Sequence, residues 1–224
     1  MIYYILPILS VLIGYLFVLT FKLKEKTTLK LFLAFSGAFL LSITVFHLFP
    51  AVYHEKNTKE IGIFIMLGIL LQIFLEFFSK GAEHGHVHLH NDIKVFPWLL
   101  FISLSIHSIL EGFPIHQHET LLYGIIVHKI PVAIILSTFF LSSGMSKGKI
   151  AAFLILFSLM TPIGSFISEY FHAIKQYYHQ ISAIVIGIFL HISTVILFES
   201  SEGHKFNLRK LLVIVFGIII AYFI

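Results

Sequence analysis

VFPWLLFISLSIHSILEGFPI, residues 95–115, is apolar over nearly its whole length, yet it carries His107 and Glu111 one helical turn apart on a single face. About 20 such residues suffice to span a bilayer, and ionisable groups held in hydrocarbon are expensive enough to be read as functional. A second apolar stretch, residues 121–143, brings His128, Lys129 and Pro131. At ~1.5 Å per residue, His128 lies about as far below one end of its segment as His107 and Glu111 lie below the matching end of theirs, so the three can meet. Two imidazoles and a carboxylate, with a coordination position left for water or Ser108, suit zinc and tolerate iron or manganese. Pro114 and Pro131 lie close by, and carbonyls freed by a proline can line a polar cavity at membrane depth.

Composition places the rest of the chain in the membrane as well. Of its 224 residues, 58% are hydrophobic and 12% charged, with a mean hydropathy of +0.97, against about a quarter charged in a soluble domain. Eight apolar segments are read, at residues 3–21, 31–53, 61–79, 95–115, 121–143, 150–168, 181–198 and 207–224. The last contains Arg209 and Lys210, which must snorkel to the interface. The first lacks a basic leader and a small-residue cleavage pattern, so it is read as a retained helix rather than a secretory signal. There is no cysteine, which excludes disulfides, thiolate ligands and a cysteine nucleophile and leaves His, carboxylate, hydroxyl or water as ligands.

Lys and Arg sort strongly by loop. The connections after segments one, three, five and seven hold eleven of the fifteen cations, the others hold three, and Lys129 lies within a helix. The positive-inside bias therefore puts both termini outside the cytoplasm. The net charge of +4 follows from this bias and from lipid contacts, so no nucleic-acid partner is implied.

An offset of 150 residues superposes Gly37, Phe39, Leu40, Thr44 and Val45 on Gly187, Phe189, Leu190, Thr194 and Val195. By the predicted topology the two segments run in opposite directions, which makes this an inverted repeat of the kind common in secondary transporters. The expected fold is thus an all-α polytopic membrane protein, one domain over residues 1–224, with eight transmembrane helices in a 3+2+3 arrangement. Segments four and five, the carriers of the His-Glu and His-Lys groups, stand between the repeats.

These residues resemble the ZIP family of divalent-metal transporters. His107-Ser108-Ile109-Leu110-Glu111-Gly112 is similar to the family's fourth-helix H-[NS]-x-x-E-G motif, and His128-Lys129-Ile130-Pro131 to its fifth-helix H-[NKE]-x-[PG] motif. His47-Leu48-Phe49-Pro50, Thr161-Pro162-Ile163-Gly164 and a histidine-rich third cytoplasmic loop extend the likeness along the chain. The resemblance implies transport of zinc or another divalent metal into the cytoplasm by alternating access, often in a homodimer, in a plasma or inner membrane. Many relatives hold two metals bridged by carboxylates; here the position after the fifth-helix proline is Val132, the residue after the histidine is Lys129, and segment six offers Thr161. A second dication beside Lys129 would meet repulsion of several kcal/mol at low effective dielectric. The site is therefore read as holding a single metal, with Lys129 in place of the second cation and pairing with Glu111 when metal is absent; a snorkelling or structural lysine is the alternative.

Further candidates are weaker. His47 is a candidate guide at the outer mouth, where His116, His118 and Glu119 can also gather metal, and Glu76, Glu199 and Glu202 are candidates for an exit. His191 is read as making a helix–helix hydrogen bond. In the loop 80–94, His84, His86, His88 and His90 alternate with small or apolar residues, a pattern suited to weak metal capture. An intramembrane metal-dependent hydrolase would also use His, Glu and a metal-bound water, but no His-Glu-x-x-His pair is present. A bis-His haem protein is disfavoured because Glu111 sits one turn from His107.

Overall fold

In the computed structural model, residues 1–21, 26–53, 58–79, 81–82, 96–199 and 208–224 are described. Among them every regular element is helical: α1 (Ile2–Thr20), α2 (Lys26–Ile43), a π-helical turn (Thr44–Leu48), α3 (Phe49–Tyr53), α4 (Thr58–Ser79), α5 (Trp98–Gly112), α6 (Glu119–Ser142), α7 (Lys147–Ser158), α8 (Met160–Tyr170), α9 (His172–Lys175), α10 (Tyr178–Glu199) and α11 (Leu208–Tyr222). Six rods are long and apolar enough to cross a membrane: Ile2–Thr20, Thr28–Tyr53, Thr58–Ser79, Glu119–Ser142, Lys147–Tyr170 and Tyr178–Phe198. This is an integral membrane protein.

Local sequence explains where the helices depart from the predicted segments. Pro97 caps the start of α5 and Pro114 follows its end, so the helix is 15 residues long and shorter than the 95–115 expected. The sixth segment is interrupted at Leu159. Pro162 lacks the N–H that would bond the Ser158 carbonyl, and the ladder resumes with Ile163 N–H to Leu159 O at 3.0 Å. Pro131, by contrast, is absorbed within a continuous α6. The π-helical turn in the second rod places His47 in its register; such turns are rare and occur often at functional sites.

Helix directions alternate. Tyr3 donates a hydrogen bond to Glu119 and Gly14 lies against Ala133, so α1 and α6 run the same way. Glu60 meets Gln180 at 3.4 Å and Glu76 meets His191 at 2.6 Å, so α4 and α10 are parallel too. Phe35 with Phe216 and Phe46 with Tyr222 set α2 parallel to α11. Tyr4 hydrogen-bonds Glu169 while Tyr15 reaches the Lys147 carbonyl, so the α7–α8 rod opposes α1. One end of the bundle, called here the first end, therefore gathers residues 3–4, 116–119, 169 and 178–180.

Without a hydrophobic drive between helices in lipid, close approach depends on small residues. A Cβ on Gly68 would overlap the Ile184 carbonyl and one on Gly187 the Ile65 carbonyl, so α4 and α10 touch backbone to backbone. Gly112 and Gly164 do the same at the crossing of α5 and α8, against the carbonyls of Thr161 and Ile109. Two apolar clusters result. One joins α2, α3, α4 and α10 with α6, and includes Leu40, Ile43, Ile135, Val185 and Phe189. The other joins α1, α5 and α7 with Val132, Ala133, Leu136 and Phe140 of α6, and includes Leu104 and Phe153.

Candidate metal centre

The α5–α8 crossing fixes the site. Gly112 lets α8 approach within backbone contact, and the interruption at Leu159 brings Thr161 opposite the adjacent Glu111. Thr161 Oγ1 donates to Glu111 Oε1 at 2.7 Å. From α6, Lys129 Nζ lies 2.5 Å from the same oxygen and donates to Ser108 Oγ at 3.2 Å. The second carboxylate oxygen, Oε2, faces His107 Nε2 at 3.3 Å. His107, Ser108, Glu111, His128, Lys129 and Thr161 are each no more than 3% exposed. The Lys129 ammonium also sits 4.7 Å from the centre of the Phe157 ring, within cation–π range.

Between these groups is a small cavity, wide enough for about one water-sized occupant, lined by His107, Ser108, Glu111, His128, Lys129, Leu104, Val132 and Phe157. All four residues expected as metal ligands, and Lys129, line it. They are not closed around a point: among the described residues no three His, Asp or Glu side chains are drawn together as a metal-holding set. The carboxylate is instead occupied by an internal cation. A buried ion pair of this kind is costly to desolvate and costlier to break by halves, because the remaining charge would be stranded. The pairing of Lys129 with Glu111 was legible as an expectation; the Thr161 donor to the same carboxylate was not, since only the broken α7–α8 rod brings it there.

Other expectations fare unevenly. His191, for which the sequence shows no partner, meets Glu76 at 2.6 Å, so a residue read as a helix–helix bond and a residue read as an exit acid are one pair. Lys210, expected to snorkel, donates to the Leu197 carbonyl at 2.6 Å. Glu199 ends α10, but its side chain, Glu202 and the loop histidines His84, His86, His88 and His90 lie outside the described residues. His116 pairs with Glu169 at 3.1 Å, while Glu119 is taken by Tyr3. His118 caps α6. Its pKa is held below the usual histidine value, first by burial and then by His47 and His179.

Comparison with known proteins agrees with the motifs. The family model described as ZIP zinc transporter matches residues 79–224, which takes in the whole candidate centre and leaves the first three rods outside the match. Protein zntD of Dictyostelium discoideum is 28% identical over 150 residues, 57% of this chain and 22% of that protein. Zinc transporter ZIP1 of Danio rerio is 29% identical and that of Takifugu rubripes 31% identical, each over 90 residues, 38% of this chain and 30% of theirs. The chain thus spans less than a third of the length of these curated relatives. With the family match covering well over half of its residues and including both polar motifs, the chain belongs to the ZIP zinc transporter family.

Proposed function

We propose that this protein moves a divalent metal, zinc first among them and iron, manganese or cadmium as further cargo, into the cytoplasm through one site formed by His107, Ser108, Glu111 and His128. The observation that carries this reading is the single cavity into which those four side chains and Lys129 converge, deep within apolar helices. The zinc transporter names of the relatives support the cargo class. When cargo arrives, the metal replaces the Lys129 ammonium at Glu111, and the two imidazoles supply neutral nitrogen ligands. A site closed by an internal cation when empty resolves a problem of carriers, since a bare buried carboxylate would be unstable during the return step.

The 3+2+3 arrangement belongs to the same proposal. The six long rods together with α5 and α11 make eight spans, and the 150-residue offset is supported by contacts as well as by letters. It carries Gly14, lying against α6, to Gly164, lying against α5, and it exchanges the α4–α10 pair with the α11–α2 pair. Thr44 and Thr194 make the same bond four residues back, to Leu40 and Leu190, at 2.8 and 2.6 Å. Rods related by the offset run in opposite directions, as an inverted repeat requires. The division into two apolar clusters supports movement of the bundle holding the site against the other helices. The charge bias places both termini, and hence the first end, outside the cytoplasm. The Glu76–His191 pair and Glu199 then lie toward the inner side as exit groups, and a homodimer is the assembly we expect.

The test is uptake into proteoliposomes with a panel of cations. Saturable zinc uptake is expected; uptake no faster than in protein-free vesicles refutes the assignment. Replacing His84, His86, His88 and His90 with alanine is expected to lower metal retention at the cytoplasmic face while leaving the zinc uptake rate within about twofold, because a loop beyond the bilayer cannot form the permeation barrier. Lys129→Met keeps the volume but removes the ammonium that competes with cargo. Zinc should bind this variant about tenfold more tightly, a change of ~1.4 kcal/mol, and leave it more slowly, as read by equilibrium binding and by single-turnover efflux.

A further inference from the structure

The two oxygens of the Glu111 carboxylate meet different surroundings. Oε1 is held between two donors, the Lys129 ammonium at 2.5 Å and the Thr161 hydroxyl at 2.7 Å. Oε2 is shut off from solvent, makes no hydrogen bond among the described residues and faces His107 Nε2 at 3.3 Å. His107, Ser108, Glu111, His128 and Lys129 line the cavity and Thr161 does not, so its hydroxyl serves the carboxylate from outside the space a cargo ion would fill. The Thr161 side chain is fully buried and its main chain is pinned. A Cβ on Gly112 would overlap the Thr161 carbonyl, and one on Gly164 the Ile109 carbonyl, so α8 rests on α5 by backbone at Thr161 itself and again three residues on.

Of the two donors only one is free to withdraw. An ammonium on a flexible four-carbon stem can leave when a dication arrives, whereas the hydroxyl of a pinned, β-branched residue stays beside its acceptor. We propose that Thr161 is a positioning residue that keeps Oε1 out of the coordination sphere, so that cargo meets Glu111 through Oε2 alone and cations that need both oxygens are selected against. The inference rests on the central site proposed above. The ligands are then Oε2, the two imidazoles and one water or Ser108 Oγ, a set that fits the tetrahedral preference of zinc. Manganese favours an octahedral, oxygen-rich set, and calcium takes about six to eight oxygens, with carboxylates often bidentate. A free Oε1 would be the easiest further ligand for this site to offer, since it needs no additional side chain. The Thr161 hydroxyl withholds it without touching the metal, and geometry and ligand type are the terms on which a protein chooses among similar dications.

The test measures binding rather than flux. It uses the full chain in detergent with His84, His86, His88 and His90 changed to alanine and with Lys129→Met, so that Thr161 is the donor left on Oε1. Zinc and manganese are titrated separately into this parent protein and into its Thr161→Val form, which keeps the β-branched shape and loses the hydroxyl. Thr161→Val should bind manganese about tenfold more tightly and zinc within about threefold of the parent, so the preference for zinc narrows several-fold. Thr161→Ser returns the donor and should restore the preference, and Thr161→Ala supplies the hydroxyl-free measurement if the valine form folds poorly. A residue needed for packing alone would weaken both metals together; an unchanged ratio of the two affinities in the hydroxyl-free variants overturns the proposal. Infrared difference spectra give a second readout, because the two carboxylate stretches are widely split when one oxygen binds metal and narrowly split when both do. A wide splitting is expected for zinc in the parent and a narrow one for manganese in Thr161→Val, and a narrow splitting in the zinc-loaded parent also overturns the proposal. If zinc binding persists when Glu111→Gln is added, the central site is misassigned and the proposal falls with it; if binding requires Glu111 but the ratio ignores Thr161, the positioning role alone fails.

Discussion

Zinc uptake falls by at least about 100-fold when Glu111→Gln is combined with Lys129→Met, and the protein remains folded. Among the described residues Glu111 is the sole carboxylate lining the cavity, so losing its charge removes the anionic ligand and leaves zinc two neutral imidazoles. A 100-fold loss corresponds to ~2.7 kcal/mol, modest for removing a charged ligand from a buried dication. The double substitution matters for reading the result. Glu111→Ala alone strands the Lys129 ammonium in a site where it is 2% exposed, a change that costs about 3–5 kcal/mol and confounds transport with folding. His107→Ala and His128→Ala should each remove most high-affinity uptake without that complication. Wild-type uptake in the double variant would show that cargo does not pass through this cavity.

Gly164→Val, far milder in chemical character, should yield no folded protein at all. A Cβ at this position overlaps the Ile109 carbonyl, backbone that cannot rotate away, and three residues along the same crossing Gly112 meets the Thr161 carbonyl in the same manner. Valine therefore has to push α8 off α5, which separates Thr161 from Glu111. Gly164→Ala should fold poorly, destabilised by about 1–3 kcal/mol or more, as overpacked cores are. Gly62→Ala provides the control, since nothing lies within 4 Å of the added carbon. Thermal unfolding in detergent, followed by size-exclusion fluorescence, separates the three; a Gly164→Val protein as stable as wild type would contradict the close crossing.

The parts of this molecule governed by local chemistry were readable without coordinates. Apolar runs between lysine-bearing loops gave the rods, and the i, i+4 spacing of His107 and Glu111 put them on one face. The costliness of a charge in hydrocarbon pointed to Lys129 and Glu111 as partners. What was not readable depends on which helix lies beside which. The hydrogen bond from Thr161 needs the break at Leu159 and the glycine-mediated approach of α8. The Glu76–His191 pair joins residues more than a hundred positions apart through the parallel contact of α4 with α10, which no hydropathy pattern encodes. His47 was singled out from its motif, but the π-helical turn that carries it is not revealed by hydrophobic periodicity. Pro131 lies within the continuous α6, where its missing N–H still leaves the Val127 carbonyl without a helical partner.

We propose that one metal occupies the transmembrane site while Lys129 stands where a second would be. It is tested by counting zinc ions bound tightly per chain, by elemental analysis of protein whose loop histidines 84, 86, 88 and 90 and outer residues His47, His118 and His179 have been changed to alanine. One zinc is expected, lost on combining Glu111→Gln with His128→Ala and still one in Lys129→Met, because Val132 and Thr161 supply no carboxylate for another. Two tightly bound zinc ions in the protein that retains Lys129, or one that persists without Glu111 and His128, would contradict it.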